Sequence, residues 1–123
     1  LRNGVFVTAG DLDGDGAADV VAGGGPGGGP RVFALSGRDL ARGGVQVQLA
    51  NFFAGDVSNR GGVRVAAKDL DGDDRADLVT GSGTAAGSRV TAYAGKDIPP
   101  DGAPPVLAEF DAFPGFTGGV FVG

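Results

Sequence analysis

Cysteine and histidine are both absent from this chain of 123 residues. Without cysteine, neither a disulfide framework nor a thiolate metal site can form. Without histidine there is no Ser-His-Asp triad, no imidazole ligand and no side chain that ordinarily titrates near neutral pH, which excludes most familiar acid–base catalysis. Methionine is missing too, and the chain opens at Leu1 inside a repeating pattern, as a piece trimmed from something longer would. Targeting signals are therefore expected to lie outside these residues. No apolar run approaches the ~18 residues needed to cross a bilayer, so no membrane span is expected. Basic residues are scarce: ten Lys and Arg against fifteen Asp and Glu give a formal charge of −5. That balance opposes nucleic-acid binding, which rests on cationic side chains neutralising phosphates.

Glycine, by contrast, abounds. Gly and Pro together make 33 of 123 residues (26 and 7), a share that without periodicity would mark a disordered segment. A hydrophobic content of 41% argues against disorder. Both observations are met if the glycines sit in turns between short strands, where positive φ carries no steric cost, and this predicts an all-β fold.

An internal repeat sets the organisation. Shifting the sequence by 58 positions lays Gly4–Gly37 on Gly62–Gly95 with 19 of 34 positions identical. The matched landmarks are Gly4-Val5-x-Val7 with Gly62-Val63-x-Val65, Asp11-Leu12-Asp13-Gly14-Asp15 with Asp69-Leu70-Asp71-Gly72-Asp73, and Arg31-Val32 with Arg89-Val90. A third copy begins at Gly119-Val120-Phe121-Val122. The division expected is residues 1–61, residues 62–118 and the start of a third repeat at 119–123. Each full repeat offers four short apolar runs bounded by turn residues. In the first these are Val5–Ala9, Val20–Ala22, Arg31–Leu35 and Val45–Leu49; in the second, Val63–Ala67, Leu78–Thr80, Arg89–Ala94 and Val106–Phe110. Four strands in a repeat of this length, with no helical spacing anywhere, predict β-propeller blades, each a four-stranded antiparallel sheet. The run Gly23–Pro30 reads as a hairpin connection. Phe52, Phe53, Phe110, Phe113 and Phe116 read as filler between blades.

Nine of the fifteen acids fall in two windows, Asp11–Asp19 and Asp69–Asp77. Asp11, Asp13, Asp15 and Asp19 stand at loop positions 1, 3, 5 and 9, and Asp69, Asp71, Asp73 and Asp77 repeat the spacing. Four carboxylates so close repel one another unless a counter-charge sits among them. Calcium, a hard cation taking six to eight oxygens at ~2.3–2.6 Å, suits alternating Asp residues on a tight turn, with position 7, Ala17 or Arg75, offering its backbone carbonyl. Leu12 and Leu70 at position 2 are expected to point into the sheet. A helix-loop-helix calcium sensor is disfavoured because its bidentate Glu at position 12 is replaced by Ala22 and Thr80. Magnesium, which demands near-ideal octahedral geometry, fits less well. Two bound calcium ions would bring the formal charge from −5 to about −1.

The succession strand, Asp-x-Asp-x-Asp-x-x-x-Asp, strand, Gly-rich turn resembles the FG-GAP repeat of integrin α-subunit propellers and the related bacterial VCBS repeats. Gly61–Ala67 before the second loop and Ala76–Gly81 after it look like bacterial members especially. The resemblance implies one calcium ion per loop, held by Asp11, Asp13, Asp15, Asp19 and the Ala17 carbonyl, and by Asp69, Asp71, Asp73, Asp77 and the Arg75 carbonyl. One departure is Asp74, which replaces the glycine found at position 6 of the first loop and is expected to be strained.

Two blades cannot close a ring, since propellers need about four to eight. The partners expected are therefore other blades, from a longer chain or from copies of this one as a trimer or tetramer, together with a protein or glycan ligand. The leading reading is a non-enzymatic, calcium-stabilised scaffold or interaction module of a secreted or cell-surface protein. The alternatives are a propeller fragment of a secreted hydrolase or lyase, and a minimal self-assembling unit. Glu109 and Asp111, the acids nearest to a catalytic pair outside the loops, read as a solvated strand edge.

Overall fold

Valine-rich runs favour extended backbone because β-branched side chains are stiff at χ1 and pack well on a pleated surface. The computed structural model, which describes residues 4–84 and 87–123, has eight strands where such runs meet turn residues. They are β1 (Val5–Gly10), β2 (Asp19–Gly24), β3 (Arg31–Leu35), β4 (Gln48–Phe53), β5 (Val63–Lys68), β6 (Asp77–Ser82), β7 (Arg89–Tyr93) and β8 (Ala108–Asp111). Two four-stranded antiparallel sheets result, ordered β1-β2-β3-β4 and β5-β6-β7-β8. The fold is all-β, as expected. Register repeats with the sequence: Gly10 faces Asp19 in the first hairpin and Lys68 faces Asp77 in the second. A one-residue slip would turn every apolar side chain to the wrong face, so equal register keeps equivalent residues on equivalent faces.

Several expectations are corrected. A five-residue helix, α1 (Gly37–Ala41), follows β3, and a short 3₁₀ turn at Gly95–Asp97 takes the equivalent place in the second sheet. Both are too short to leave a 3.6-residue period in the sequence. The fourth strands begin later than the apolar alternation suggests, at Gln48 rather than Val45 and at Ala108 rather than Val106. Val45 and Val47 are exposed; Ala50 and Phe52 are the residues that reach the core, opposite Ala34 and Val32. Gly23 and Gly24 belong to β2 itself, and the connection is confined to residues 25–30, with Gly28 N–H donating to Gly25 O at 3.2 Å. Val120–Val122 forms no strand, although Val120 N–H donates to Ser82 O at 2.9 Å.

The core lies between the sheets. One face of the first sheet contributes Val21, Val32, Ala34, Ala50 and Phe52, and the opposing face of the second contributes Val63, Val65, Leu78 and Tyr93. Phe52 meets Tyr93 edge-on with ring centroids 5.0 Å apart, an arrangement that the opposed charges of ring face and edge favour. β5 lies across β2 closely enough that a side chain at Gly23 would collide with the Val63 carbonyl.

Position in the pair decides burial more than residue type does. Leu12 is 3% exposed and its repeat-mate Leu70 is 51% exposed; Phe52 is 4% exposed and its mate Phe110 is 56% exposed. The expectations that Leu70 points into the sheet and that all five phenylalanines are filler therefore fail. Only Phe52 of the five is buried; Phe53, Phe110, Phe113 and Phe116 are exposed. No described helix is long and apolar enough to cross a membrane.

Candidate metal centre

Each acidic loop joins the first two strands of its sheet, so the β-ladder fixes both ends of a nine-residue segment. Tight turning inside it requires positive φ, supplied by Gly14 (+76°) and Gly16 (+87°) in the first loop and by Gly72 (+77°) in the second. Asp74, at the place of Gly16, takes φ of +65° and is the one non-glycine residue with positive φ among those described.

The turns aim backbone N–H groups at the carboxylates. Asp11 Oδ1 accepts from Gly14 N at 2.8 Å and from Asp15 N at 3.1 Å, while its Oδ2 accepts from Gly16 N at 2.9 Å. In the second loop Asp69 accepts from Gly72, Asp73 and Asp74 in the same pattern. Asp15 and Asp73 each accept the N–H two residues ahead, from Ala17 at 2.9 Å and Arg75 at 3.0 Å. These bonds hold carboxylate oxygens together: Asp11, Asp13 and Asp15 in the first loop, and Asp69, Asp71 and Asp77 in the second, each offer an oxygen within 4.8 Å of the others. Either triad could hold a metal ion.

The ninth-position carboxylates have a further task. Asp19 is fully buried; its Oδ2 accepts Leu12 N–H at 2.8 Å and its Oδ1 accepts Gly37 N–H at 3.0 Å, tying the loop to the start of α1. Asp77 does the same with Leu70 and Gly95, both at 2.8 Å. A buried carboxylate with both oxygens engaged by backbone donors is a structural anchor, since removing it strands those N–H groups. Asp19 stands outside the first triad and Asp73 outside the second, so the two loops gather different members of the same quartet.

Charge separates the loop positions. Partial desolvation, followed by the nearby Asp19 and Asp15 carboxylates, pushes the Asp13 carboxyl up to about 6. Asp71 is raised for the same reasons, desolvation first. Asp15 is lowered by the Ala17 N–H, with help from Arg38 and Arg42, and Asp73 is lowered by the Arg75 N–H, with help from Lys96 and Arg75. A carboxyl raised by desolvation and by neighbouring carboxylates, beside one lowered by backbone N–H donors, is an arrangement whose repulsion a divalent cation would relieve.

Sequence reasoning missed Arg38 and the reach of Arg75. Arg38, carried by α1, forms an ion pair with Asp15 at 3.1 Å and donates to the Asp15 carbonyl. Its repeat-mate is Lys96, and a basic residue at the same place in both repeats is the signal that could have found it. Arg75 sends its guanidinium into the first loop, where Nε and Nη2 donate to the Leu12 carbonyl at 3.0 and 2.8 Å. Ala76 N–H donates to the Asp11 carbonyl at 2.7 Å, so the two loops are stitched together. Glu109 and Asp111 both pair with Arg89, at 2.5 and 2.9 Å, across β7 and β8.

Comparison with protein-family models, with curated proteins and with solved structures finds no match for this chain.

Proposed function

We propose that each acidic loop binds one calcium ion and that the chain is a calcium-stabilised repeat scaffold, its two sheets serving as blades of the FG-GAP or VCBS kind. The observation that carries this reading is the recurrence, 58 residues apart, of an all-oxygen triad on a turn whose N–H groups are already directed at the first and fifth carboxylates. Oxygen donors alone, with no histidine, cysteine or methionine in the chain to compete, select a hard cation, and a loop with a variable ligand set suits calcium better than octahedral magnesium. The remaining carboxylate lone pairs, with the backbone carbonyls of Ala17 and Arg75, complete the ligand set in this reading.

The ion's role here is structural. It cancels repulsion within each loop and fixes the β1–β2 and β5–β6 hairpins, so binding free energy becomes folding free energy. Extracellular calcium modules bind at ~10⁻⁴–10⁻³ M, which fits a secreted or surface setting. At millimolar calcium, one- to tenfold above such a Kd, each site adds about 0.4–1.4 kcal/mol. The melting temperature is therefore expected to rise by several degrees in millimolar calcium and to fall again with chelator. An unchanged melt, with no heat on calcium titration, rejects the reading. Asp13→Ala and Asp71→Ala, which remove triad members without touching the buried anchors, should each abolish one of two titrated sites.

A further inference from the structure

The face that the second sheet turns toward the first is apolar near the acidic loop and polar at the far end. Beyond the core residues Leu78 and Tyr93, the same face carries Thr80 opposite Thr91, then Ser82 and Arg89, with Glu109 and Asp111 beside them on β8. In the corresponding register the first repeat has Ala22, Phe33, Gly24, Arg31, Asn51 and Phe53, so only the arginine is kept. Thr80 and Thr91 are nonetheless buried, at 3% and 5% exposure. Hydroxyls at covered positions forgo the stabilisation that apolar side chains would draw from the same burial. With Thr91 and Asp111 where the first repeat has two phenylalanines, a hollow of about 260 Å³ remains. It lies between Asn59, on the connection from β4 to β5, and Thr80, Ser82, Arg89, Thr91 and Asp111. No residue before Ala54 or after Asp111 lines it.

The hydrogen bonds around the hollow leave a defined set of groups open. Arg89 Nε donates to Asp111 Oδ1 at 2.9 Å and Nη1 donates to Glu109 Oε1 at 2.5 Å, while Asn59 Oδ1 accepts Gly61 N–H at 3.0 Å. Asp111 Oδ2, Arg89 Nη2 and Asn59 Nδ2 have no partner among the described residues. Thr80 Oγ1 gives its proton to the Thr91 carbonyl at 3.3 Å and retains the capacity to accept. Charge excludes both kinds of ion. The Arg89 guanidinium between the two carboxylates repels a cation, and two carboxylates against one guanidinium repel an anion.

The geometry points to a binding site for a neutral sugar residue in this hollow. Two adjacent ring hydroxyls, each both donor and acceptor, match the open set: one gives its proton to Asp111 Oδ2, and its neighbour accepts from Arg89 Nη2 or Asn59 Nδ2. Clefts for drug-sized ligands run to ~300–1,000 Å³, so this smaller one takes a single ring, the terminal residue of a glycan. An extended peptide is recognised instead along a groove or a free strand edge. The assignment goes beyond the calcium-scaffold reading and does not rest on it, since Ser82 and Arg89 stand at the opposite end of the strands from the acidic loops.

The test is an amide nuclear magnetic resonance titration of the full chain with glucose, galactose, mannose and N-acetylglucosamine in turn. At least one is expected to shift the amides of Asn59, Thr80, Ser82, Thr91 and Asp111 saturably, with a Kd on the order of 1 mM, as suits a ligand of one ring. Resonances of Asp11–Asp19 should stay in place. Thr80→Val, which keeps the side-chain shape, and Asp111→Asn, at an exposed position, should each weaken binding about tenfold, with circular dichroism verifying the fold. Should Thr80→Val fail to fold, Asp111→Asn carries the comparison alone. Glucuronate, which adds a carboxylate to the glucose ring, should bind more weakly than glucose. The inference is overturned if none of the four sugars gives saturable shifts, if the shifts fall elsewhere, or if folded variants bind like the parent. Glucuronate binding as tightly as glucose, or a glycylglycine control shifting the same amides more than any sugar, overturns it equally. The calcium reading stands or falls separately, on the calcium dependence of the melt.

Discussion

Asp74 records a local conflict between sequence and backbone. Its loop needs a left-handed turn at the sixth position, the first loop meets that need with Gly16, and the second meets it with an aspartate at φ of +65°. For a non-glycine residue this conformation costs of order 1 kcal/mol or more, partly offset because aspartate tolerates it better than most. Asp74→Gly is therefore expected to stabilise the protein by about 0.5–1 kcal/mol in chemical denaturation, by relieving strain and removing one negative charge from a crowded loop. Loss of stability would show that the Asp74 side chain contributes something the backbone geometry does not reveal.

At the scale of elements, the repeat itself announced the two sheets. Equal spacing of Val5/Val63, Asp11/Asp69 and Val32/Val90 carried the strand order and the loops, because each pair occupies the same register. The fourth strands were harder to read. Val45-Gln46-Val47-Gln48 alternates well enough to pass for a strand, yet it is the exposed approach to one, its Val47 carbonyl accepting from Ser36 N–H at 2.9 Å. Alternation reports the pleat and says nothing of which neighbour a strand finds. The acidic loops were legible as quartets, whereas the split into Asp11/Asp13/Asp15 and Asp69/Asp71/Asp77 was not, since it depends on which carboxylate oxygens the folded loop brings within reach of one another. Packing between elements also gives a contrast within the repeat. Gly23→Ala drives a methyl into the Val63 carbonyl of a fully paired strand and should cost about 1–3 kcal/mol. Gly81→Ala meets the Val120 carbonyl of a segment that can move aside, so its cost should be clearly smaller in parallel urea titrations. Equal costs would mean that residues 119–122 are held as firmly as β5.

Considered as a whole, the molecule has one core shared by two sheets rather than two cores. Leu78 is fully buried in it and sits among residues from both sheets. Leu78→Ala should cost about 2–5 kcal/mol and lower the melting temperature of the entire chain in one transition. Two separate transitions, with the first sheet unmoved, would show that the sheets fold independently. What could not be read from sequence at this scale was which copy of each repeated residue is covered. Leu12 and Leu70, or Phe52 and Phe110, are the same letters in the same register, and only the presence of a neighbouring sheet separates 4% from 56% exposure in the second pair.

The guanidinium of Arg75 crosses from the second loop to the Leu12 carbonyl, between two of the first loop's carboxylates, while its own N–H is held by Asp73. Whatever stiffens one hairpin is thereby conveyed to the hairpin before it. The first loop has no means of reaching backward in the same fashion, because Ala17 stands where the long side chain would have to be. This linkage between the repeats has a polarity, running from the later loop to the earlier one.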